Sequence, residues 1–357
     1  MSGEEKYLTL DALIEQDAYF AIYRLPGEQA PRFAMQTGEN ALLLNDVEEL
    51  NGQHGFVIAP FRITASSPLI LIRPDCTDLC EANTNFRNKK WGKTDTELQK
   101  KSKKSDYSLI FQRFHEPLLT GEMEKLVLSR NRTMEREEAF SPGRSFFRAT
   151  EKYPHSFVYL LHTPQSGTWL GSSPEILLAG SGNEWKTVAL AGTRYPNSGK
   201  VSWDDKNLRE QHLVTSYILK QLTSFQLAPE INGPYTIKAG ALAHLRTDFS
   251  FSLPDNRKIG TLLKALHPTP AVSGLPKEKA FEFIADHEGY DRSYYTGFLG
   301  ILDPSAETNL YVNLRCMQIG RSWLTLFAGS GLLASSTFRH EWKEPEQKLK
   351  TMASIVK

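Results

Sequence analysis

The chain has 357 residues, of which 40% are hydrophobic and 23% charged, and its formal net charge is +1. This length suits one large domain or two ordinary ones, with a core that needs no covalent staples. The near-neutral charge gives no reason to expect nucleic acid as a partner. The three cysteines are an odd, sparse set that excludes a disulfide framework and suits a reducing compartment.

No segment has the pattern of a leader or a membrane span. Residues 1–7 lack a basic region followed by an apolar stretch, and no run of 18 apolar residues occurs. We therefore expect a cytoplasmic protein without a membrane partner. No heptad pattern or exposed apolar repeat indicates an interface, which predicts a monomer or a weak homodimer.

The first 75 residues contain short apolar runs separated by Pro, Gly and Asn, a pattern typical of strands in an antiparallel sheet. The polar segment 76–106 follows them and predicts a solvated loop, the best candidate for a mobile segment. Asp106 is then expected to cap a helix over 108–119. The predicted strands of this part are 19–23, 55–59 and 68–72.

From residue 125 onward, strand patterns interleave with helical ones, and no repeat or linker divides the chain. We expect one α+β domain over 1–357, with large, layered, mostly antiparallel sheets flanked by helices. Within it, 1–110 is a β-rich part and 111–357 carries most of the reactive groups. The predicted strands are 125–130, 157–161, 175–178, 187–190, 310–314 and 323–328, and the predicted helices are 205–224, 258–266, 277–287 and 342–354.

The last thirty residues combine a glycine-rich turn, 328–331, with a carboxylate cluster. The glycines allow backbone N–H groups to approach an anion closely. Glu341, Glu344 and Lys348 are spaced so that they share one face of a helix. Proline is tolerated only in the first turn of a helix, so Pro345 predicts a helix that begins near residue 342 or later. The segment is interpreted as a carboxylate and metal site or, alternatively, as a solvated charged helix.

Four further side chains combine a reactive group with nearby glycine or proline. Lys125 opens an apolar strand, from which its amine can project out of a buried wall. Glu175 follows a turn fixed by proline, and Glu210 lies on a predicted helix. Arg315 follows a strand and can bind a carboxylate with its planar fork. Each also has a purely structural interpretation: a lysine that reaches water, a turn glutamate, a helix ion pair of Glu210 with Arg209 or Lys206, or a surface arginine.

Taken together, eight ordered segments over about 230 residues resemble the chorismate-utilising enzymes. This family includes isochorismate synthase, salicylate synthase, anthranilate synthase component I and aminodeoxychorismate synthase component I. The resemblance implies the layered α+β fold of that family, with which 1–110 agrees only in general character. The matching segments are 125–130, 171–175, 190–193, 266–274, 290–292 with Gly297 and Gly300, 313–315, 328–331, and 341–344 with Lys348.

The resemblance implies chorismate as the substrate and Mg²⁺ as the cofactor. Glu210 and Glu344 would hold the metal, with Glu341 acting nearby or through water. Converging carboxylates need a cation, because like charges about 4 Å apart repel by roughly 4 kcal/mol at an effective dielectric near 20. Arginine, lysine and backbone amides would hold the substrate carboxylates. The implied substrate-binding residues are Ala191, Gly192, Thr193, His244, Ala271, Val272, Tyr295, Arg315, Ala328, Gly329, Gly331 and Lys348.

The nucleophile separates the members of this family. The resemblance implies a lysine base at Lys125 in members that add water, where ammonia-using members usually have glutamine. Ala191 stands where aminodeoxychorismate synthases have a nucleophilic lysine, and Val272 where salicylate synthases usually have threonine. These positions favour isochorismate synthase, without a glutamine amidotransferase partner. Salicylate synthase is the first alternative, followed by anthranilate synthase component I and a non-catalytic chorismate-binding subunit.

The implied reaction needs two opposite pKa shifts. Lys125 as free amine removes a proton from water, which attacks C2 of the ring, while Glu175 protonates the departing C4 hydroxyl. The pKa of Lys125 must therefore be lowered and that of Glu175 raised. We expect the product to feed menaquinone rather than a siderophore, since the chain carries no fused partner domain.

The chain departs from the family pattern beside one predicted metal ligand. Around Glu210 the usual Asp, Arg and His are replaced, which alters the groups that support the ligand and motivates the non-catalytic alternative. Pro345 stands where threonine is usual. The replacing residues are Asn207, Leu208 and Gln211.

Overall fold

Two antiparallel sheets and eight α-helices form the fold in residues 2–85, 104–195, 201–240 and 242–356, the part of the chain that the computed structural model describes. The strands are β1 (Tyr19–Arg24), β2 (Arg32–Gln36), β3 (Leu42–Leu44), β4 (Gly55–Ala59), β5 (Leu69–Ile72), β6 (Lys125–Glu135), β7 (Phe157–Thr163), β8 (Gly167–Ser173), β9 (Ile176–Ser181), β10 (Glu184–Arg194), β11 (Glu230–Ala239), β12 (Leu242–Ser252), β13 (Gly274–Leu275), β14 (Phe298–Leu302), β15 (Thr308–Val312), β16 (Cys316–Ile319) and β17 (Trp323–Leu332). The helices are α1 (Gly3–Glu15), α2 (Leu79–Asn85), α3 (Lys104–Leu119), α4 (Pro142–Lys152), α5 (Asp205–Ser224), α6 (Ile259–Leu266), α7 (Lys277–His287) and α8 (Phe338–Ala353).

The expected α+β fold with large antiparallel sheets is confirmed. The first sheet has eight strands in the order β13-β6-β17-β16-β8-β7-β1-β2, and the second has nine in the order β11-β12-β10-β9-β15-β14-β4-β5-β3. Strands from the first 75 residues enter both sheets, since β1 pairs with β7 and β4 with β14. This sharing supports the predicted single domain over 1–357, which stays a prediction.

Strand β1 shows why the layers stack as they do. Its side chains alternate between two faces, as the period of a strand requires. Tyr19 and Tyr23 pack between the two sheets with Phe56 of β4. Phe20 and Ile22 face the other way, into a cluster shared with α1, α4 and α8. Helices α5 and α6 cover the outer face of the second sheet, so the order of layers is helices, sheet, sheet, helices.

Most predicted elements lie where the sequence pattern indicates, and the predicted helices 205–224 and 277–287 agree residue for residue with α5 and α7. Helix α3 begins at Lys104, earlier than the predicted start at 108. In the predicted loop 76–106 the structure has α2, while residues 86–103 lie outside the described part. The sequence analysis missed α1 and α4, the long strands β11 and β12, and the shorter strands β2, β3, β8, β13, β14 and β16. No helix among the described residues could span a membrane.

The predicted start of the last helix was wrong. Helix α8 begins at Phe338, and Pro345 lies in its interior. Proline there removes the N–H that would donate to the carbonyl of Glu341, four residues earlier. That carbonyl instead accepts from the hydroxyl of Tyr107 at 3.0 Å and from that of Ser330 at 3.3 Å. Partners from distant segments therefore replace the missing bond and let the helix continue.

Candidate active site

One pocket brings together most of the predicted site residues. It contains about 590 Å³ of space free of atoms, its open mouth included. All the residues predicted to bind substrate line it, together with Glu175 and Glu210. Sequence reasoning missed several apolar or small neighbours, which carry no reactive group to signal them. These are Val127, Pro174, Leu190, Thr296, Leu314 and Ser330.

Lys125 lies behind this lining, at the start of β6. Its side chain is 0% exposed, so it does not extend into bulk solvent, and its Nζ lies 3.0 Å from Oε1 of Glu210. The contact is an ion pair without hydrogen-bond geometry, which leaves Nζ able to bond a further group. Burial lowers the pKa of Lys125, and the charge of Glu210 opposes that shift only in part.

Glu175 is also buried, between Pro174 and β9. Its backbone is fixed on both sides: its N–H donates to Oγ of Ser173 at 3.3 Å, and its carbonyl accepts from the N–H of Val312 at 3.0 Å. Burial raises the pKa of the carboxyl to about 8, although Lys125 and other nearby cations act in the opposite direction. The group is therefore largely protonated near neutral pH and able to donate a proton.

Arg315 and His244 meet at the same pocket. Arg315 is buried and has a φ of +45°, which turns the chain sharply after β15. Its Nη2 donates to Nε2 of His244 at 2.9 Å, and Nδ1 of His244 bonds the carbonyl of Gly192 at 2.8 Å. Both ring nitrogens of His244 thus have protein partners, and the ring supports the arginine.

Two of the departures from the family pattern hold the pocket wall at β10. The N–H of Thr193 donates to the side-chain oxygen of Asn207 at 2.9 Å, and the N–H of Ala191 donates to that of Gln211 at 2.8 Å. Both N–H groups lie where the register of β10 against β12 shifts, next to Gly192 with its φ of +70°. The amides on α5 therefore satisfy backbone donors that the irregular strand leaves open.

Glycine is required where β17 passes the buried ion pair. A Cβ on Gly331 would lie 2.1 Å from Oε1 of Glu210 and 3.1 Å from Cε of Lys125. Any side chain would displace the pair. The predicted glycine-rich turn at 328–331 was wrong, because these residues continue strand β17. Gly331 thus has a role besides the predicted access of its N–H to an anion.

The three predicted metal ligands are each paired with a lysine. Besides the contact of Glu210 with Lys125, Glu341 accepts from Lys206 at 2.7 Å, and Glu344 accepts from Lys348 at 2.6 Å. Lys206 is a site residue that sequence reasoning named only as an ion-pair partner of Glu210. Its position four residues before Glu210 on α5 places both on one helix face, a signal that was available.

Lys206 compensates several negative charges at once. Burial lowers its pKa, but Glu341, Glu210 and Glu344 raise it by more, so its net pKa is raised. The pKa of the Glu341 carboxyl is lowered overall: burial raises it, and the hydrogen bonds from His340 and Lys206 outweigh that effect. Glu341 therefore remains ionised, with Lys206 as its internal counter-charge.

The donor set of this cluster fits a hard divalent cation. In the described part of the chain, ligand atoms of His340, Glu341 and Glu344 lie within 4.8 Å of one another, and Glu210 is not in that group. Oε2 of Glu341 is buried and accepts no hydrogen bond, whereas Oε1 accepts from Lys206 and Ser336. A buried carboxylate oxygen with free lone pairs is a suitable ligand for Mg²⁺, which prefers oxygen donors.

Comparison with known proteins shows the family to which the chain is similar. A family profile described as chorismate binding enzyme matches residues 72–357. Isochorismate synthase EntC of Escherichia coli K12 is 31% identical over 248 residues, which cover 66% of this chain and 63% of that protein. The match thus spans less than two thirds of that relative.

Solved structures show the same fold. A putative 2,3-dihydroxybenzoate-specific isochorismate synthase, DhbC from Bacillus anthracis, superposes with a TM-score of 0.80 at 23% identity, covering 99% of both chains. MenF, the menaquinone-specific isochorismate synthase from Escherichia coli, has a TM-score of 0.76 at 20% identity, covering 98% of this chain and 91% of that one. With a family profile that matches most of its length, the chain belongs to the chorismate-binding enzymes.

Proposed function

We propose that the protein is a Mg²⁺-dependent isochorismate synthase, which converts chorismate to isochorismate. The observation that carries the proposal is a buried lysine of lowered pKa and a buried glutamic acid of raised pKa at one pocket. Environments that push two titratable groups in opposite directions are typical of a catalytic base and acid. Lys125 is the base and Glu175 the acid.

In the proposed reaction, the free amine of Lys125 takes a proton from a water molecule whose oxygen attacks C2 of the chorismate ring. Glu175 gives its proton to the C4 hydroxyl, which leaves as water while the ring double bonds shift. One water is added and one is lost, so the reaction is an isomerisation. Glu210, 3.0 Å from Nζ of Lys125, stabilises the ammonium as it forms.

The carboxylates of chorismate need cationic or N–H partners in the pocket. Arg315 supplies a planar fork that His244 orients, and Lys348 lines the same space. The backbone amides of 328–331 come from β17, beside the buried ion pair. These groups bind the substrate without taking part in proton transfer.

Mg²⁺ would be held by Glu344 and Glu210, with Glu341 nearby or acting through water. The free Oε2 of Glu341 and the nearby Glu344 support a cation at this cluster, although Glu210 lies outside the group of ligand atoms within 4.8 Å of one another. Bound there, the ion would grip the ring carboxylate of chorismate and balance the charge of the cluster. His340 is a further side chain beside the ligands, at 3.5 Å from Oε1 of Glu341.

The name of the similar protein EntC supports isochorismate as the product. Residues at the pocket support the same product: Lys125, behind the lining, stands where ammonia-using members have glutamine, and Ala191 and Val272 line the pocket. The proposed enzyme acts in the cytoplasm as a monomer or weak homodimer and needs no glutamine amidotransferase. Its product, isochorismate, supplies menaquinone synthesis.

The test is incubation of the purified protein with chorismate and Mg²⁺ in the absence of ammonia, with the products separated by chromatography. Lys125→Gln should lower turnover about 10³-fold or more, because a general base is removed. The control is Lys186→Gln, which changes an exposed lysine on β10 and should leave turnover unchanged. Pyruvate with salicylate would instead assign a salicylate synthase. A product formed only with ammonia would assign anthranilate synthase chemistry, and binding without turnover a non-catalytic subunit.

A further inference from the structure

A fully buried ion pair lies beside the pocket and outside the proposed chemistry. Glu288 and Arg292, in the turn after α7, are each 1% exposed. Nε of Arg292 donates to Oε2 of Glu288 at 2.5 Å, and Nη2 donates to Oε1 at 2.7 Å, which makes the pair bidentate. Burying two charges carries a large desolvation penalty, so such a pair is poor evidence of stabilisation and needs another explanation.

Glu288 and Arg292 bind the edge of strand β6 beyond the point where its neighbour, β13, ends. Strand β13 has only two residues, and beyond it the N–H of Val127 still donates to the carbonyl of Ser273 at 2.7 Å. The next two groups on that edge bind the ion pair. The carbonyl of Val127 accepts from Nη2 of Arg292 at 2.8 Å, and the N–H of Ser129 donates to Oε1 of Glu288 at 2.7 Å. Two side chains thus replace a missing strand.

The same guanidinium also binds the facing wall of the pocket. Nη1 of Arg292 donates to the carbonyl of Val272 at 2.8 Å and to the hydroxyl of Thr296 at 3.3 Å. Val127, Val272 and Thr296 all line the pocket. One rigid, planar group therefore links the strand that begins with Lys125 to the wall formed by Val272.

We propose that Arg292 is a positioning residue that sets the separation between β6 and the wall at Val272, and so fixes the substrate ring relative to Lys125. This inference rests on the proposed function. Arg315 and Lys348, which are assigned to the substrate carboxylates, form their hydrogen bonds with other groups of the pocket. Loosening the link through Arg292 should therefore lower the rate of the chemical step more than it weakens substrate binding. A displacement of about 1 Å in such a geometry costs roughly 10²-fold in rate.

Two variants separate positioning from folding. Arg292→Lys keeps the charge beside Glu288 but loses the planar fork that reaches both carbonyls. Glu288→Gln with Arg292→Gln removes both charges together, so neither is left buried and unpaired. The matched control is Arg32→Lys, which changes another Glu–Arg pair of the same i,i+4 spacing that is only half-buried, with the side chain of Arg32 38% accessible.

The measurements are kcat and KM for chorismate per folded molecule, with the folded fraction taken from thermal unfolding. We expect kcat to fall about 10- to 100-fold in both variants, KM to change less than threefold, and the control to match the wild type. A kcat within threefold of the wild type in whichever variant folds would overturn the positioning role, as would a rise in KM without loss of kcat. If the wild type forms a different product, the proposed function fails, and the kcat of that reaction tests the role of Arg292. A wild type with no turnover would overturn both.

Discussion

Nη2 of Arg315 donates a hydrogen bond to Nε2 of His244 at 2.9 Å, inside the pocket. A guanidinium can only donate, so Nε2 must accept, and the ring proton lies on Nδ1, which donates to the carbonyl of Gly192. Burial lowers the pKa of His244 well below its usual value, and Arg315 and Lys348 lower it further. His244 is therefore a neutral ring that orients a permanent cation.

This relationship predicts a binding defect in His244→Ala. Arg315 would lose one orienting hydrogen bond, worth about 0.5–1.5 kcal/mol, so KM for chorismate should rise roughly two- to tenfold with little loss of kcat. Steady-state kinetics of the variant beside His155→Ala, which changes an exposed histidine, provide the measurement. Wild-type KM should show no titration near pH 6.5; such a titration would contradict a neutral His244.

Glu175 sets the alkaline limb of the pH–rate profile. An acid must be protonated to act. Because the pKa of Glu175 is about 8, this group should not limit kcat/KM below that pH, and kcat/KM should fall about tenfold per pH unit above it. Lys125 acts as free amine, so the rate should rise with pH through its lowered pKa, which gives a bell-shaped profile. A rate that still increases above pH 9 would exclude Glu175 as the acid.

The raised pKa of Glu175 also predicts a stability effect of opposite sign to that of a salt-bridged glutamate. The folded pKa of about 8 exceeds the ordinary value of 4.5, so the stability of the wild type should decrease as pH rises between these values. Glu175→Gln stays neutral and escapes this loss, which is at most about 1.4 kcal/mol for each pH unit between the two pKa values. In urea unfolding, the free energy of unfolding of Glu175→Gln relative to the wild type should be higher at pH 8 than at pH 5. The control Glu151→Gln, which changes an exposed glutamate, should show no such difference between the two pH values.

The sequence was most informative where local pattern and chemistry coincide. Lys125 opens an apolar run, and the structure has β6 starting there with the amine buried. The partner of that amine, Glu210, could not be predicted from the run, because the contact depends on how α5, which packs on the second sheet, is placed relative to β6 of the first sheet. Asn207 and Gln211 were treated as lost supports, since their hydrogen bonds to β10 exist only where that strand is irregular.

Gly331→Ala tests whether space beside the ion pair is required. The added Cβ would lie 2.1 Å from Oε1 of Glu210, so the carboxylate must shift and its contact with Lys125 would change. Turnover should fall about 10²-fold or more, because the base is displaced. Gly38→Ala is the control, since its Cβ would meet only Oδ2 of Asp75 at 3.6 Å. Turnover is measured by steady-state kinetics and folding by circular dichroism. A folded Gly331→Ala variant with wild-type turnover would show that the space beside the ion pair is not required.

Tyr107 and Pro345 should be energetically coupled, although no sequence pattern connects them. The hydroxyl of Tyr107 donates to the carbonyl of Glu341, 234 residues away, which Pro345 leaves without its helical partner. Tyr107→Phe should therefore destabilise the protein by about 1–2 kcal/mol in urea unfolding. In a Pro345→Ala background the restored N–H can bond that carbonyl, so the same change should cost less than half as much. Equal costs in the two backgrounds of this double-mutant cycle would show that the hydroxyl does not replace the missing helix bond.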